Sequence, residues 1–177
     1  MSTITPIIET ERLILRPHRI DDLAQRMIMT ADEETMRFVG GVQGRDDNVT
    51  RILRYAGHWS LFGRGPFAME EKATGKLVGE IGIADMMRGL GEGFDGEPEA
   101  LWVLARAAHG KGYATEAMRA AIAWHDAAFG VRRLVCIIAP GNAASLNVAA
   151  KLGFAPFDER LYRDHPVILL ERVPGRD

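Results

Sequence analysis

The chain has 177 residues, 47% apolar and 26% charged, the balance of a single domain with enough apolar residues for a sizeable core. Its net charge of −2 supplies no field that would gather nucleic acid or an anionic membrane, and no apolar run is long enough to cross a bilayer. Cys136 is the single cysteine, which rules out an internal disulfide, and with no CxxC, HExxH or paired histidines no metal site is expected.

Met1–Pro6 has no basic region followed by an apolar core, so no secretory signal is expected and the cytoplasm is the expected location. Glu9–Arg16 alternates, with Leu13 and Leu15 on one face and Arg12, Ile14 and Arg16 on the other. It reads as a first strand, stopped by Pro17. Asp21 and Asp22 offer a cap to a helix over Leu23–Thr30, with Leu23, Met27 and Ile28 as its apolar face. After Gly40-Gly41-Val-Gln-Gly44, a second helical pattern carries Val49, Ile52, Leu53, Ala56 and Trp59. Of Tyr55, Trp59 and Phe62, at least two read as core. Pro66–Glu71 and Lys76–Ala84 are strands joined by the turn Lys72-Ala-Thr-Gly75. Met86–Pro98 holds four glycines with Glu92, Asp95 and Glu97. It reads as a long, mobile, acidic loop whose rim would attract a cationic amine, or as an ordinary solvated loop.

Glu99–Leu104 is the next strand. His109-Gly-Lys-Gly-Tyr-Ala-Thr-Glu-Ala117 follows, then a helix to about Phe129 with Ala114, Ala117, Met118, Ala121, Ile122, Ala128 and Phe129 as its stripe, ended by Gly130. Arg133–Ala139 is apolar on both faces, as a central strand is. Asn142 caps a helix that Gly153 ends, and Phe154–Arg160 and Val167–Val173 are the last strands. A strand, a loop with Gly110 and Gly112, then a helix leaves free N–H groups at a positive helix terminus, a cradle for phosphate. Two glycines in a tight turn are the plain alternative. A P-loop would need GxxxxGK[ST], which is absent. A dinucleotide loop would need a third glycine where Thr115 stands, and an acidic residue in the region of Arg132-Arg133. Coenzyme A binding calls for a second half-site downstream, and Asn142-Ala-Ala-Ser145-Leu-Asn-Val-Ala-Ala-Lys151-Leu-Gly-Phe154 supplies one.

His109–Ala117 resembles the acyl-CoA loop of the GNAT superfamily of N-acetyltransferases, and Asn142–Phe154 resembles that family's "N-x-x-S … K-L-G-F" segment. Thr10-Glu-Arg-Leu-Ile-Leu-Arg16 is similar to the "T-x-R-L-x-L-R" strand that opens the branch with the ribosomal-protein N-terminal acetyltransferases. The resemblance covers about residues 8 to 173. It implies one α/β (α+β) domain over 1–177, a mixed, mostly antiparallel sheet flanked by helices and split around an acyl-CoA cleft. It implies acetyl transfer from acetyl-CoA, without a metal, to a primary amine on a peptide N-terminus or a small molecule, by direct attack in a ternary complex. A non-catalytic acyl-CoA-binding regulator is the alternative. A homodimer is compatible with either.

Cofactor contacts are then expected from Val103, Leu104, His109, Gly110, Lys111, Gly112, Tyr113, Ala114, Asn142, Ser145 and Lys151, with a backbone amide near Val103 or Leu104 donating to the oxyanion. Glu99, opening the strand that leads into the loop, is the expected base, and Glu80 on the neighbouring strand is the runner-up. Either also reads as a solvated strand-end residue. Ala149 stands where many of the family carry a tyrosine seven residues after the asparagine, which leaves Ser145 as the candidate proton donor to sulfur. Ser145 reads equally as support for the helix start, and Asn142 as its cap. Ala107, next to Arg106, stands where the family's loop often has Arg or Gln.

Overall fold

The computed structural model describes residues 6–175, so the reading of Met1–Pro6 lies almost wholly outside the described residues. Eight strands form one sheet in the order β1-β2-β3-β4-β5-β6-β8-β7. They are β1 (Ile8–Glu9), β2 (Leu13–Arg16), β3 (Pro66–Glu71), β4 (Lys76–Ala84), β5 (Glu99–Leu104), β6 (Leu134–Ile138), β7 (Ala155–Tyr162) and β8 (His165–Arg172). Every neighbouring pair is antiparallel except β5 and β6. The helices are α1 (Leu23–Ala31), α2 (Glu33–Met36), α3 (Arg45–Phe62), α4 (Tyr113–Phe129) and α5 (Ala143–Lys151).

Alternation along β4 decides what covers each face of the sheet. Ile81 and Ile83 turn into the main core with Phe67, Met69 and the α4 residues Ala117, Met118 and Ala121. Glu80 turns the other way, toward α1 and α3, where Arg26 and Tyr55 meet it. Gly79 lets the strands approach closely, since a Cβ there would fall 2.6 Å from the Val103 carbonyl oxygen.

Five readings change. Glu9–Arg16 is two short strands, because the Thr10 hydroxyl accepts the Leu13 amide at 3.0 Å and folds the segment into a hairpin. On α1 the buried residues are Leu23, Arg26, Met29 and Thr30, and Ile28 is exposed. On α3 they are Asn48, Ile52, Tyr55, His58 and Trp59, and Leu53 is exposed. Both helices are rotated from their apolar stripes because a buried ion pair and its partners have to be satisfied between them. On α4 His125, fully buried, continues the stripe in place of Ala128. The Met86–Pro98 loop is pinned. Leu90 and Phe94 are buried against Val135, Val167 and Leu169, Asp95 accepts the amides of Leu90 and Gly91, and Arg160 and Arg133 bind its carbonyls. Glu97 pairs with Arg133 at 3.5 Å, so two of the loop's three acids are spent within the protein. Tyr55 and Trp59 are buried, whereas Phe62 is exposed.

Candidate active site

The cleft follows from how β5 leaves β6. The two parallel strands are in register only at Glu99 and Val135, with the Val135 amide donating to Pro98 at 3.1 Å. Beyond that point they diverge, and the β6-facing edge of β5 has no ladder. Ala105 donates to the Val78 carbonyl on the β4 side, so alternation turns the amides of Trp102 and Leu104 toward the open edge. Val103, paired with Glu80, faces β4.

At the end of this edge lies the glycine loop. Gly110 and Gly112 have φ of 73° and 78°, and Gly112 caps α4. A Cβ on Gly110 would meet nothing within 4 Å. Among the described residues, no acceptor in the protein takes the amides of Gly110, Lys111, Gly112, Tyr113 or Ala114. Five unpaired donors and a helix N-terminus converge on an exposed loop, an arrangement that fits a pyrophosphate. Lys111 and Tyr113 are turned aside to Glu71, at 3.4 and 2.7 Å. The Nε2 of His109 donates to the Leu104 carbonyl at 2.9 Å and braces the loop against β5.

A second brace comes from the first hairpin. Glu116, in the first turn of α4, accepts from the Thr10 hydroxyl at 2.6 Å, the Arg12 amide at 2.9 Å and Arg12 Nε at 2.7 Å. Arg12 Nη1 also donates to the Lys111 carbonyl at 2.8 Å. The threonine and first arginine of the opening motif thus hold the loop, a role its place 99 residues upstream had hidden.

The expected carboxylates sit in different surroundings. Glu80 lines a small cavity of about 70 Å³ together with Thr30, Gln43, Tyr55, Leu101 and Val103. Its oxygens accept from Arg26 Nε at 3.0 Å, Arg26 Nη2 at 3.1 Å and the Tyr55 hydroxyl at 2.9 Å. Arg26 in turn donates to Asn48 and Gln43. Burial pushes the Glu80 carboxyl up, but His18 and Arg26 together outweigh it and bring it down to about 2. His18 Nε2 lies 3.5 Å away without a proper hydrogen bond, so the Arg26 fork is the main partner. Burial and the Glu80 charge hold the Tyr55 phenol protonated.

Glu99 is buried beneath Arg88, which donates to it from Nε at 2.9 and 2.8 Å and from Nη2 at 2.5 Å. It lines neither cavity, whereas Arg88 lines both. Burial raises the Glu99 carboxyl against the pull of Arg88. The larger cavity, about 380 Å³, is formed by Arg54 of α3, Met86–Leu90, and Leu161–Arg163 at the β7–β8 turn.

Asn142 caps α5, accepting the Ser145 amide at 3.1 Å. The Ser145 hydroxyl accepts from the Trp102 indole at 3.3 Å across the cleft, which leaves its own proton to donate. Ala149 is fully buried in the core, and Lys151 is exposed at the end of α5. Arg26 and Arg88 had no signal in the sequence beyond a charged residue in a helix and in a loop, and Trp102 read only as one residue of the Glu99–Leu104 strand.

Residues 12–155 match the Acetyltransferase (GNAT) domain family. A Bordetella pertussis protein assigned to the GnaT-family acetyltransferases has a structure with TM-score 0.85, at 33% identity over 95% of this chain and 99% of that one. YoaA of Bacillus subtilis, an uncharacterised N-acetyltransferase, is 25% identical over 154 residues, 84% of this chain and 82% of its own. RimL, a ribosomal L7/L12 α-N-protein acetyltransferase solved with coenzyme A, shares the fold at TM-score 0.76 and 13% identity, over 97% of this chain and 100% of that one. The divergent β5–β6 pair, the loop of free amides and these kinships agree: the chain belongs to the GNAT acetyltransferase family.

Proposed function

We propose that the protein transfers an acetyl group from acetyl-CoA to a primary amine, on a peptide N-terminus or a small molecule, by direct attack within a ternary complex. The observation that carries this reading is the run of unpaired amides from Gly110 to Ala114 at the end of the open β5 edge. Bound acetyl-CoA supplies an activated acyl group with a thiolate as leaving group. The loop amides hold its pyrophosphate, and the open edge of β5 takes the pantetheine arm. The Leu104 amide, or that of Trp102, is aimed where oxyanion charge develops. Asn142 keeps its amide N–H groups for the same arm, because its oxygen is used by the cap. Lys151, exposed at the C-terminal end of α5, belongs to the same segment.

The amine enters the small cavity beside Glu80 and Val103. Glu80 takes precedence over Glu99 here, since Glu80 lines this cavity and Glu99, beneath Arg88, lines neither. As a fixed anion, Glu80 attracts the ammonium and orders the water that removes its proton. The C–N bond forms as the C–S bond breaks, and the amine's proton leaves through water. The departing thiolate takes a proton from Ser145 or solvent, a modest demand for a thiol of pKa about 8.5.

Calorimetric titration with acetyl-CoA, followed by thiol release against an amine panel with mass detection, tests this. Binding and amine-dependent release are expected. Binding without release would make the protein an acyl-CoA-binding regulator, the reading that buried Ala149 favours. No binding would overturn the loop assignment.

A further inference from the structure

We propose that the larger cavity is an anion subsite for the acceptor, so that the substrate is a primary amine that also carries a carboxylate or phosphate. This rests on the acyl-transfer reading. Three guanidinium groups, Arg54, Arg88 and Arg163, come from three separate segments and line one cavity of about 380 Å³. Their charge is largely uncompensated. Glu99 neutralises Arg88, while neither Arg54 nor Arg163 has an ion-pair partner among the described residues. Arg54 spends one N–H on the Met86 carbonyl at 3.0 Å. The Arg88 and Arg163 guanidinium groups both lie over the Tyr162 ring, 5.0 Å and 5.3 Å from its centroid. An anionic ligand in this cavity would offset the charge that these groups bring to one wall.

The backbone points the same way. Met87, Arg163 and Asp164 are the non-glycine residues with positive φ among the described residues, at 49°, 51° and 63°. Two of them line this cavity and the third adjoins it. The two-residue turn between β7 and β8 needs positive φ at both positions, which glycine or asparagine meets at least cost. An arginine at its first position is unfavourable locally and sets a cation on the cavity rim.

The two cavities share Met86 and Arg88, so one molecule can span them. The amine then sits beside Glu80, and the anion meets Arg88, Arg54 and Arg163. Exposed Met87 and Leu161 flank the larger cavity with apolar surface. This geometry selects against polycationic amines, the opposite of what the acidic residues of the Met86–Pro98 loop imply from sequence.

The test compares matched acceptors: alanyl-alanine with its C-terminal amide, phosphoethanolamine with ethanolamine, and spermidine as the cationic arm. The Arg54→Gln/Arg163→Asn double variant is run in parallel. Asparagine tolerates the left-handed turn, and thermal melting checks the fold. The anionic member of at least one pair should be preferred by about tenfold or more in kcat/KM, mainly through KM, with the preference falling toward unity in the double variant. Preference in one pair alone identifies carboxylate or phosphate. Equal rates within both pairs, an undiminished preference in the variant, or spermidine as the best acceptor would overturn the subsite while leaving acyl transfer standing. If nothing is acetylated, calorimetry on the CoA-loaded protein with the same compounds separates the two ideas. Anion binding that the double variant loses keeps the subsite and refutes acyl transfer, and no binding refutes both.

Discussion

Glu80 and Glu99 lie on neighbouring strands, yet their surroundings assign them different work. Glu80, lowered to about 2, is an anion at any physiological pH and acts through its fixed charge. Glu99 is raised by burial but held in the Arg88 fork, where it positions the arginine that both cavities share. Glu80→Gln leaves Arg26 a buried cation without its counter-charge, a loss of about 3 kcal/mol. It should also lower kcat/KM at neutral pH by about 10²-fold or more. Part of that loss should return as pH rises, because solvent then supplies neutral amine. Full pH–rate profiles, measured well below the melting temperature, make the check. A loss equal at every pH and tracking the folded fraction would leave Glu80 a purely structural residue. Glu99→Gln should instead raise the acceptor KM through a loosened Arg88; a pH-recoverable loss of kcat in that variant would put the base on β5. Both glutamates were legible in the sequence as strand residues near the loop. Their partners were not, because Arg26 is 54 residues before Glu80 and reads as one polar residue in an apolar helix face.

The glycine loop and α4 act as one element, and the first hairpin is its anchor. Thr10 and Arg12 meet Glu116, and Arg12 holds the Lys111 carbonyl, so the loop's amides are presented rather than folded inward. Gly112 carries φ 78°, where any side chain is strained. A substitution there therefore needs a strain control, and Gly75, at φ 66° in the β3–β4 turn with open space around it, provides one. Gly112→Ala and Gly75→Ala should each cost about 1 kcal/mol of stability. Only the first should weaken acetyl-CoA binding, by about tenfold or more, since only there does a methyl stand where phosphate approaches the backbone. Calorimetry beside thermal melts reads both, and equal acetyl-CoA affinity in the two variants would refute the phosphate role. The element itself was plain from strand, glycines and helix in series. The faces of α1 and α3 were misjudged for a physical reason: apolar periodicity locates a face only when the core it meets is apolar, and here that core is a salt bridge with Asn48 and Tyr55 around it.

At the scale of the molecule, the order of elements and most strand limits follow from alternation and turn residues, and Pro66–Glu71, Lys76–Ala84 and Glu99–Leu104 stand where they were expected. The divergence of β5 from β6 was not readable, because two free strand edges leave the same residues as two paired ones. The network inside the sheet's second face also has a global consequence. Glu80 is depressed in the folded state relative to an ordinary carboxyl, as are Asp22, through Arg16 and the Arg19 amide against burial, and Glu116, through Thr10 and Arg12 against burial. A depressed carboxyl contributes stability that is complete above its unfolded value and is lost as pH falls toward the folded one. Glu99, raised, works in the opposite sense and relieves part of the loss on protonation. Glu80 dominates because it is fully buried, where the Arg26 fork and the nearby His18 hold its carboxyl well below the ordinary value against the cost of burial. The urea midpoint of the wild type should therefore hold steady down to about pH 5 and then fall steeply toward pH 2. Glu80→Gln should start lower at neutral pH and fall less steeply, so that the two curves approach each other at the acid end. Parallel curves would move the source of acid sensitivity away from the Arg26–Glu80 pair, to Asp22 beside Arg16 and Glu116 beside Arg12.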